Sequence, residues 1–130
     1  MRVLVIDDSK VSRKVQAIAL AELGLAEDDI VEAEKAKEAF KIFGQKEIDL
    51  ILLDWNMPEI TDVDFIRIFK TKFPETKIPI VMVTSDGRKE SIVEASSLGV
   101  SGYIVKPIDR KEFKAKVFQL KEKNEDITVG

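Results

Sequence analysis

Short, largely apolar runs alternate with longer helix-forming segments five times along the chain. The runs are residues 3–6, 30–33, 48–53, 78–83 and 102–105. Two of them, Ile48-Asp49-Leu50-Ile51-Leu52-Leu53 and Ile78-Pro79-Ile80-Val81-Met82-Val83, are apolar nearly throughout. Strands buried on both faces read this way, whereas an antiparallel sheet with one wet face alternates apolar and polar residues. Helices are expected at 10–23, 35–43, 62–72, 88–98 and 109–123. Val11, Val15, Ile18 and Leu23 form an apolar stripe in the first, and Phe113, Val117 and Leu120 form one in the last. Gly24, Gly44 and Gly99 follow three of these segments, where a helix end favours a left-handed residue.

Strand then helix, repeated five times, implies a parallel sheet with right-handed crossovers and helices on both faces. The expected class is α/β, a doubly wound five-stranded sheet with five helices in the flavodoxin-like order 2-1-3-4-5. A length of 130 residues suits one domain. Residues 1–123 are assigned to it and 124–130 to a polar tail. In open sheets of this kind the site lies beyond the carboxyl ends of the strands, near the switch point between the first and the third.

Composition narrows the chemistry. There is no cysteine and no histidine, which removes disulfides, thiolate and imidazole metal sites, cysteine nucleophiles and Ser-His triads. A net charge of -3, from 24 acids and 21 bases, provides no general cationic field for nucleic acid or anionic membranes. The four apolar residues Val3 to Ile6 before Asp7 are too few for a signal peptide core, and no run approaches a membrane span. A cytoplasmic monomer is expected.

The strand ends carry the reactive groups. The first strand runs into Asp7-Asp8 and the third into Asp54, so two adjacent strands deliver three carboxylates to one edge. Such clusters suit Mg2+, which takes one or two carboxylates, waters and phosphate oxygens. Helix capping by Asp8 or Ser9 is the plainer alternative for that part of the cluster. The fourth strand ends in Thr84-Ser85 and the fifth in Lys106-Pro107, where the proline holds Lys106 extended. A carboxylate nucleophile, a metal site, a hydroxyl and a lysine together suffice for taking up a phosphoryl group, a reaction that needs positioning and charge neutralisation above all.

Four stretches, Val5-Ile6-Asp7-Asp8-Ser9, Leu52-Leu53-Asp54-Trp55-Asn56-Met57-Pro58, Val81-Met82-Val83-Thr84-Ser85 and Ser101-Gly102-Tyr103-Ile104-Val105-Lys106-Pro107, resemble response-regulator receiver domains, in particular the stand-alone, CheY-like chemotaxis type. The resemblance covers residues 1 to about 121. It implies that Asp54 accepts a phosphoryl group from a histidine of a sensor kinase or phosphotransfer protein. It further implies that Asp7, Asp8, Asp54 and the backbone carbonyl of Asn56 hold Mg2+. Lys106 would bind the phosphoryl oxygens, Thr84 would move to bond one of them, and Tyr103 would turn inward behind Thr84. The surface of the fourth helix, fifth strand and fifth helix would then change its affinity for a downstream protein, such as a flagellar switch. On this reading the protein is no enzyme beyond its own phosphorylation and dephosphorylation.

One departure is the Thr61-Asp62 pair, where the family usually has Asp-Gly; Asp tolerates a positive backbone angle better than most residues. Other readings of the fold fare worse. A flavin carrier lacks its glycine-containing phosphate loop, an aspartate-based phosphatase lacks a second acid at Asn56, and no G-x-G-x-x-G follows the first strand. A phosphorelay intermediate and a phosphorylation-independent binding module stay open as alternatives.

Overall fold

Residues 1–54 and 62–129 are described by the computed structural model, and within them the chain runs β1 (Val3–Ile6), α1 (Lys10–Glu22), β2 (Ile30–Ala33), α2 (Ala36–Gln45), β3 (Leu50–Asp54), α3 (Asp62–Lys72), β4 (Ile80–Thr84), α4 (Lys89–Ser97), β5 (Gly102–Val105) and α5 (Arg110–Val129). All five strands pair in parallel in the order β2-β1-β3-β4-β5, the order expected from the alternation. The register sets Ile6 beside both Ala33 and Leu53, Asp54 beside Val83, and Thr84 beside Val105. Every strand therefore reaches its carboxyl end along one edge, and the residues that follow emerge together.

The period-two geometry of a strand divides the apolar runs between two cores. Leu4, Ile6, Ile51, Leu53 and Met82 face one side, where Ala36, Ala39, Phe65, Ile66, Phe69 and Ala95 of α2, α3 and α4 cover them. Val3, Val5, Leu50, Leu52, Val81, Val83 and Ile104 face the other, under Ala19 and Leu20 of α1 and Phe113 and Val117 of α5. All five residues of β3 and of β4 are buried, as expected of central strands with helices on both sides. Between α2 and α3, Phe40 stacks on Phe65 with ring centroids 4.9 Å apart, and Phe43 meets Phe69 edge-on at 4.8 Å.

Three expectations change. The buried face of α1 is Gln16, Ala19 and Leu20, while Val11 and Ile18 of the expected stripe are 75% and 46% exposed. Positions 16, 19, 20 and 23 do follow helical spacing, but a polar residue at 16 hides that face from a hydrophobicity reading. Gly24 and Gly99 terminate their helices at φ +98° and +87°, the left-handed region open to glycine. Gly44, by contrast, lies inside α2, which continues to Gln45 and closes with the Lys46 N–H on the Ile42 carbonyl at 2.9 Å. Ile42 and Phe43 pack against the core there and hold the last turn in place. Finally, α5 runs to Val129 rather than Lys123, because no glycine or proline interrupts 121–129.

Candidate functional site

Asp7 follows β1 directly, and its N–H bonds the Ala33 carbonyl at 3.1 Å, carrying the β1–β2 ladder one step beyond the strand. Asp54 is the last residue of β3. Because β1 and β3 are neighbours in register, carboxylate oxygens of Asp7, Asp8 and Asp54 lie within 4.8 Å of one another. Asp7 is fully buried, Asp54 is nearly so, and Asp8 is exposed. The helix cap is Ser9, whose hydroxyl accepts the Ser12 N–H at 3.2 Å. Capping thus accounts for Ser9 but not for the convergence of the three acids.

Lys106 reaches this cluster from the end of β5. Its N–H bonds the Thr84 carbonyl at 2.6 Å, and its Nζ stands 3.0 Å from Asp7 Oδ2 and 3.6 Å from Asp54 Oδ1. The Lys106–Pro107 peptide is cis. Both oxygens of the Asp7 carboxylate are bonded. Oδ2 accepts the Ser12 hydroxyl at 2.6 Å, the Gln16 amide at 3.3 Å and Lys106, while Oδ1 accepts the Ser9 N–H at 2.9 Å. Arg13 braces the backbone, donating to the Asp7 carbonyl at 2.7 Å while Nε meets Glu32 at 3.1 Å. Burial pushes the Asp7 carboxyl up, but the Ser12 hydroxyl, the Ser9 N–H and Lys106 together outweigh it and hold Asp7 below the usual carboxylate range.

Beyond β4, the Thr84 hydroxyl is buried and accepts the Asp86 N–H at 3.1 Å. The Tyr103 hydroxyl donates to the carbonyl of the same Asp86 at 2.5 Å, and its ring packs at the margin of the core. Thr84 and Tyr103 are thus joined through one residue. The Asp86 carboxylate in turn accepts two Arg88 side-chain bonds at 3.0 and 2.9 Å, the Arg88 N–H at 3.0 Å and the Ser91 hydroxyl at 2.6 Å. Sequence reasoning missed Ser12, Arg13, Gln16 and Asp86. Their only advance signal was position: Ser12 and Gln16 fall one helical turn apart after the acidic pair, and Asp86 follows the strand-end hydroxyl.

Two further carboxylates contribute, with Asp7, to the acid limb of stability. Hydrogen bonds from Arg88 hold Asp86 far below its ordinary value, and hydrogen bonding to Arg110, with the nearby Lys114, lowers Glu22. A carboxylate depressed in the folded state stabilises the fold above its unfolded pKa of about 4 and loses that contribution as pH falls through the folded value. The chain lacks histidine, the side chain whose ordinary pKa falls between pH 5 and 8. Thermal melts are therefore expected to be level from about pH 5 to 8 and to fall below about pH 4. The Asp86→Asn protein should show a shallower acid limb, and parallel limbs would contradict this role for Asp86.

Of the expected site residues, the structure brings Asp7, Asp8, Asp54 and Lys106 together and places Thr84 at the end of β4 and Tyr103 on β5, both bonded to Asp86 of the loop after β4. Asn56, the expected backbone ligand, lies outside the described residues with Trp55, Met57, Pro58 and Thr61. Three carboxylates in a chain without histidine or cysteine form a hard, all-oxygen donor set, suited to a small divalent cation with a cationic side chain at its margin.

The family model described as response regulator receiver domain matches residues 3–118. A chemotaxis protein CheY homolog of Campylobacter jejuni is 37% identical over 128 residues, covering 98% of this chain and 92% of its own length. Chemotaxis protein CheY1 of Helicobacter pylori is 35% identical over 118 residues, 90% of this chain and 94% of that protein. Among solved structures, the chemotaxis response regulator CheY4 of Vibrio cholerae superposes with a TM-score of 0.81 at 25% identity, covering 92% of this chain and 97% of that one.

Proposed function

The chain belongs to the response-regulator receiver family, and from that premise we propose that it is a CheY-like signalling protein that takes a phosphoryl group onto Asp54 from a histidine of a sensor kinase or phosphotransfer protein. The observation that carries this reading is the placement of Lys106 Nζ 3.6 Å from Asp54 Oδ1 and 3.0 Å from Asp7 Oδ2, at the rim of three clustered carboxylates. Such a cation stands ready for oxygens arriving on Asp54.

Asp54 attacks as a carboxylate. An Oδ–phosphorus bond forms while the bond from phosphorus to the donor imidazole nitrogen breaks, and that nitrogen keeps the electron pair. Asp7, Asp8, Asp54 and the backbone carbonyl of Asn56 are the residues that would hold Mg2+. When bound, the cation supplies neutralisation of the phosphoryl oxygens. Lys106 turns from Asp7 toward one oxygen. Thr84 donates to another, since a hydroxyl that accepts the Asp86 N–H keeps its own hydrogen to give. Movement of Thr84 pulls on Asp86, and through it on Tyr103, biasing the α4-β5-α5 face between two states.

Each of these three elements carries an exposed apolar side chain: Val93 on α4, Val105 on β5 and Phe118 on α5 are 60%, 42% and 48% exposed. They suit a downstream protein partner of the chemotaxis type, such as a flagellar switch. We read the protein as a cytoplasmic monomer whose receiver unit is residues 1–123, with 124–130 appended; among the described residues no helix is long and apolar enough to cross a membrane.

The deciding test is intact mass after incubation with a small phosphodonor, with and without Mg2+. One Mg2+-dependent phosphoryl adduct is expected. No adduct, with Trp55 fluorescence unchanged on rapid mixing, would favour the phosphorylation-independent binding module. The Tyr103→Ala protein should form the adduct at close to the parent rate but lose the phosphorylation-dependent change in amide exchange across β4, α4 and β5. The parent's exchange response persisting in that variant would remove Tyr103 from the switch.

A further inference from the structure

The inward face of α1 contains one residue that packing alone does not explain. Gln16 is 1% exposed beside the fully buried Ala19 and Leu20, and its Oε1 has no hydrogen-bond partner among the described residues. An apolar side chain would fill that place without burying an unpaired carbonyl. The amide nitrogen explains the polar residue. It lies 3.3 Å from Asp7 Oδ2, 3.3 Å from the Ser12 hydroxyl and 3.4 Å from the Ser12 carbonyl. Ser12 stands one turn earlier and donates its hydroxyl to the same Oδ2 at 2.6 Å.

From this geometry we infer that Ser12 and Gln16 are positioning residues for Asp7, holding its carboxylate in the rotamer and at the charge density that a cation in the acidic cluster requires. The inference rests on the reading of Asp7, Asp8 and Asp54 as a Mg2+ site. Two donors from α1 turn Oδ2 toward the helix, while Oδ1 takes the Ser9 N–H. They also share Oδ2 with Lys106 at 3.0 Å. A lysine that is one of three donors to an oxygen leaves it more readily than a sole partner would, so the same pair eases the transfer of Lys106 from Asp7 to an incoming phosphoryl oxygen. Groups that orient a metal ligand from behind commonly alter metal affinity by about 10–100-fold when removed.

The experiment is calorimetric titration of the full chain with Mg2+ alone, paired with thermal melts without Mg2+. Ser12→Ala and Gln16→Met are each expected to weaken Mg2+ binding about tenfold. The melting temperature of Gln16→Met should equal or exceed the parent's, because a near-isosteric apolar side chain replaces an unpaired buried carbonyl. Ser12→Thr, which retains the hydroxyl, should restore the affinity. Parent-like affinity in both variants overturns the inference. So does a loss of affinity that tracks a loss of melting temperature and is not rescued by threonine, the mark of a purely structural role. If the parent itself binds no Mg2+, the metal reading fails first, and this inference fails with it.

Discussion

Substituting Asp54→Asn is expected to abolish phosphorylation. No adduct should appear by intact mass after incubation with a small phosphodonor and Mg2+, under conditions where the parent is fully modified. Asparagine matches the shape of aspartate but offers a neutral amide in place of an anionic oxygen, so it lacks the nucleophile. The variant should fold as well as the parent or better, because Asp54 is nearly buried within 4.8 Å of two other carboxylates, and the change removes one of three like charges. A melting temperature at or above the parent's would make the missing adduct a loss of chemistry and not of structure. An adduct formed at the parent rate would mean that Asp54 is not the acceptor.

Lys106→Ala carries the second largest expected effect. The lysine is the cation that lies against Asp7 and Asp54 in the structure, and alanine leaves nothing at that end of β5 to meet a phosphoryl oxygen. Removing one preorganised donor from developing negative charge commonly costs about a hundredfold or more in rate. The rate of adduct formation at saturating Mg2+ should fall by about that factor, which corresponds to roughly 2.7 kcal/mol of barrier. Modification should still go to completion, since Asp54 and its acidic neighbours remain. The modified variant should nevertheless show no change in amide exchange across α4 and β5. Lys106→Met, which keeps the apolar stem, separates lost charge from lost packing. An undiminished rate in both variants would take Lys106 out of the reaction.

Much of the fold was legible because burial on both faces makes a central strand apolar throughout. The limits of β1, β2 and β5 were read correctly, while β3 and β4 begin two residues later and end one residue later than expected. Helices were harder where side chains serve something other than the core. On α1, Val11 and Ile18 are apolar yet exposed, while Gln16 is polar yet buried, so only part of the apolar stripe, including Leu23, marked the inward face. Gly44 misled for a different reason. Glycine permits a helix to end without requiring it, and the packing of Ile42 and Phe43 holds α2 for two further residues, to Gln45.

For the candidate site, sequence alone determined which chemical groups are available and roughly where they stand. Acids, a hydroxyl and a lysine follow four strand ends, and the strand-helix alternation makes those ends share one edge. Only the tertiary structure decided the pairing. It set Lys106 closer to Asp7 than to Asp54, loaded Asp7 Oδ2 from Ser12 and Gln16, and joined Thr84 to Tyr103 through Asp86. The physical reason is one of range. Strand order and burial follow from local periodicity summed over many residues, whereas a hydrogen bond near 3 Å depends on the register of neighbouring elements and on which of several donors reaches one oxygen.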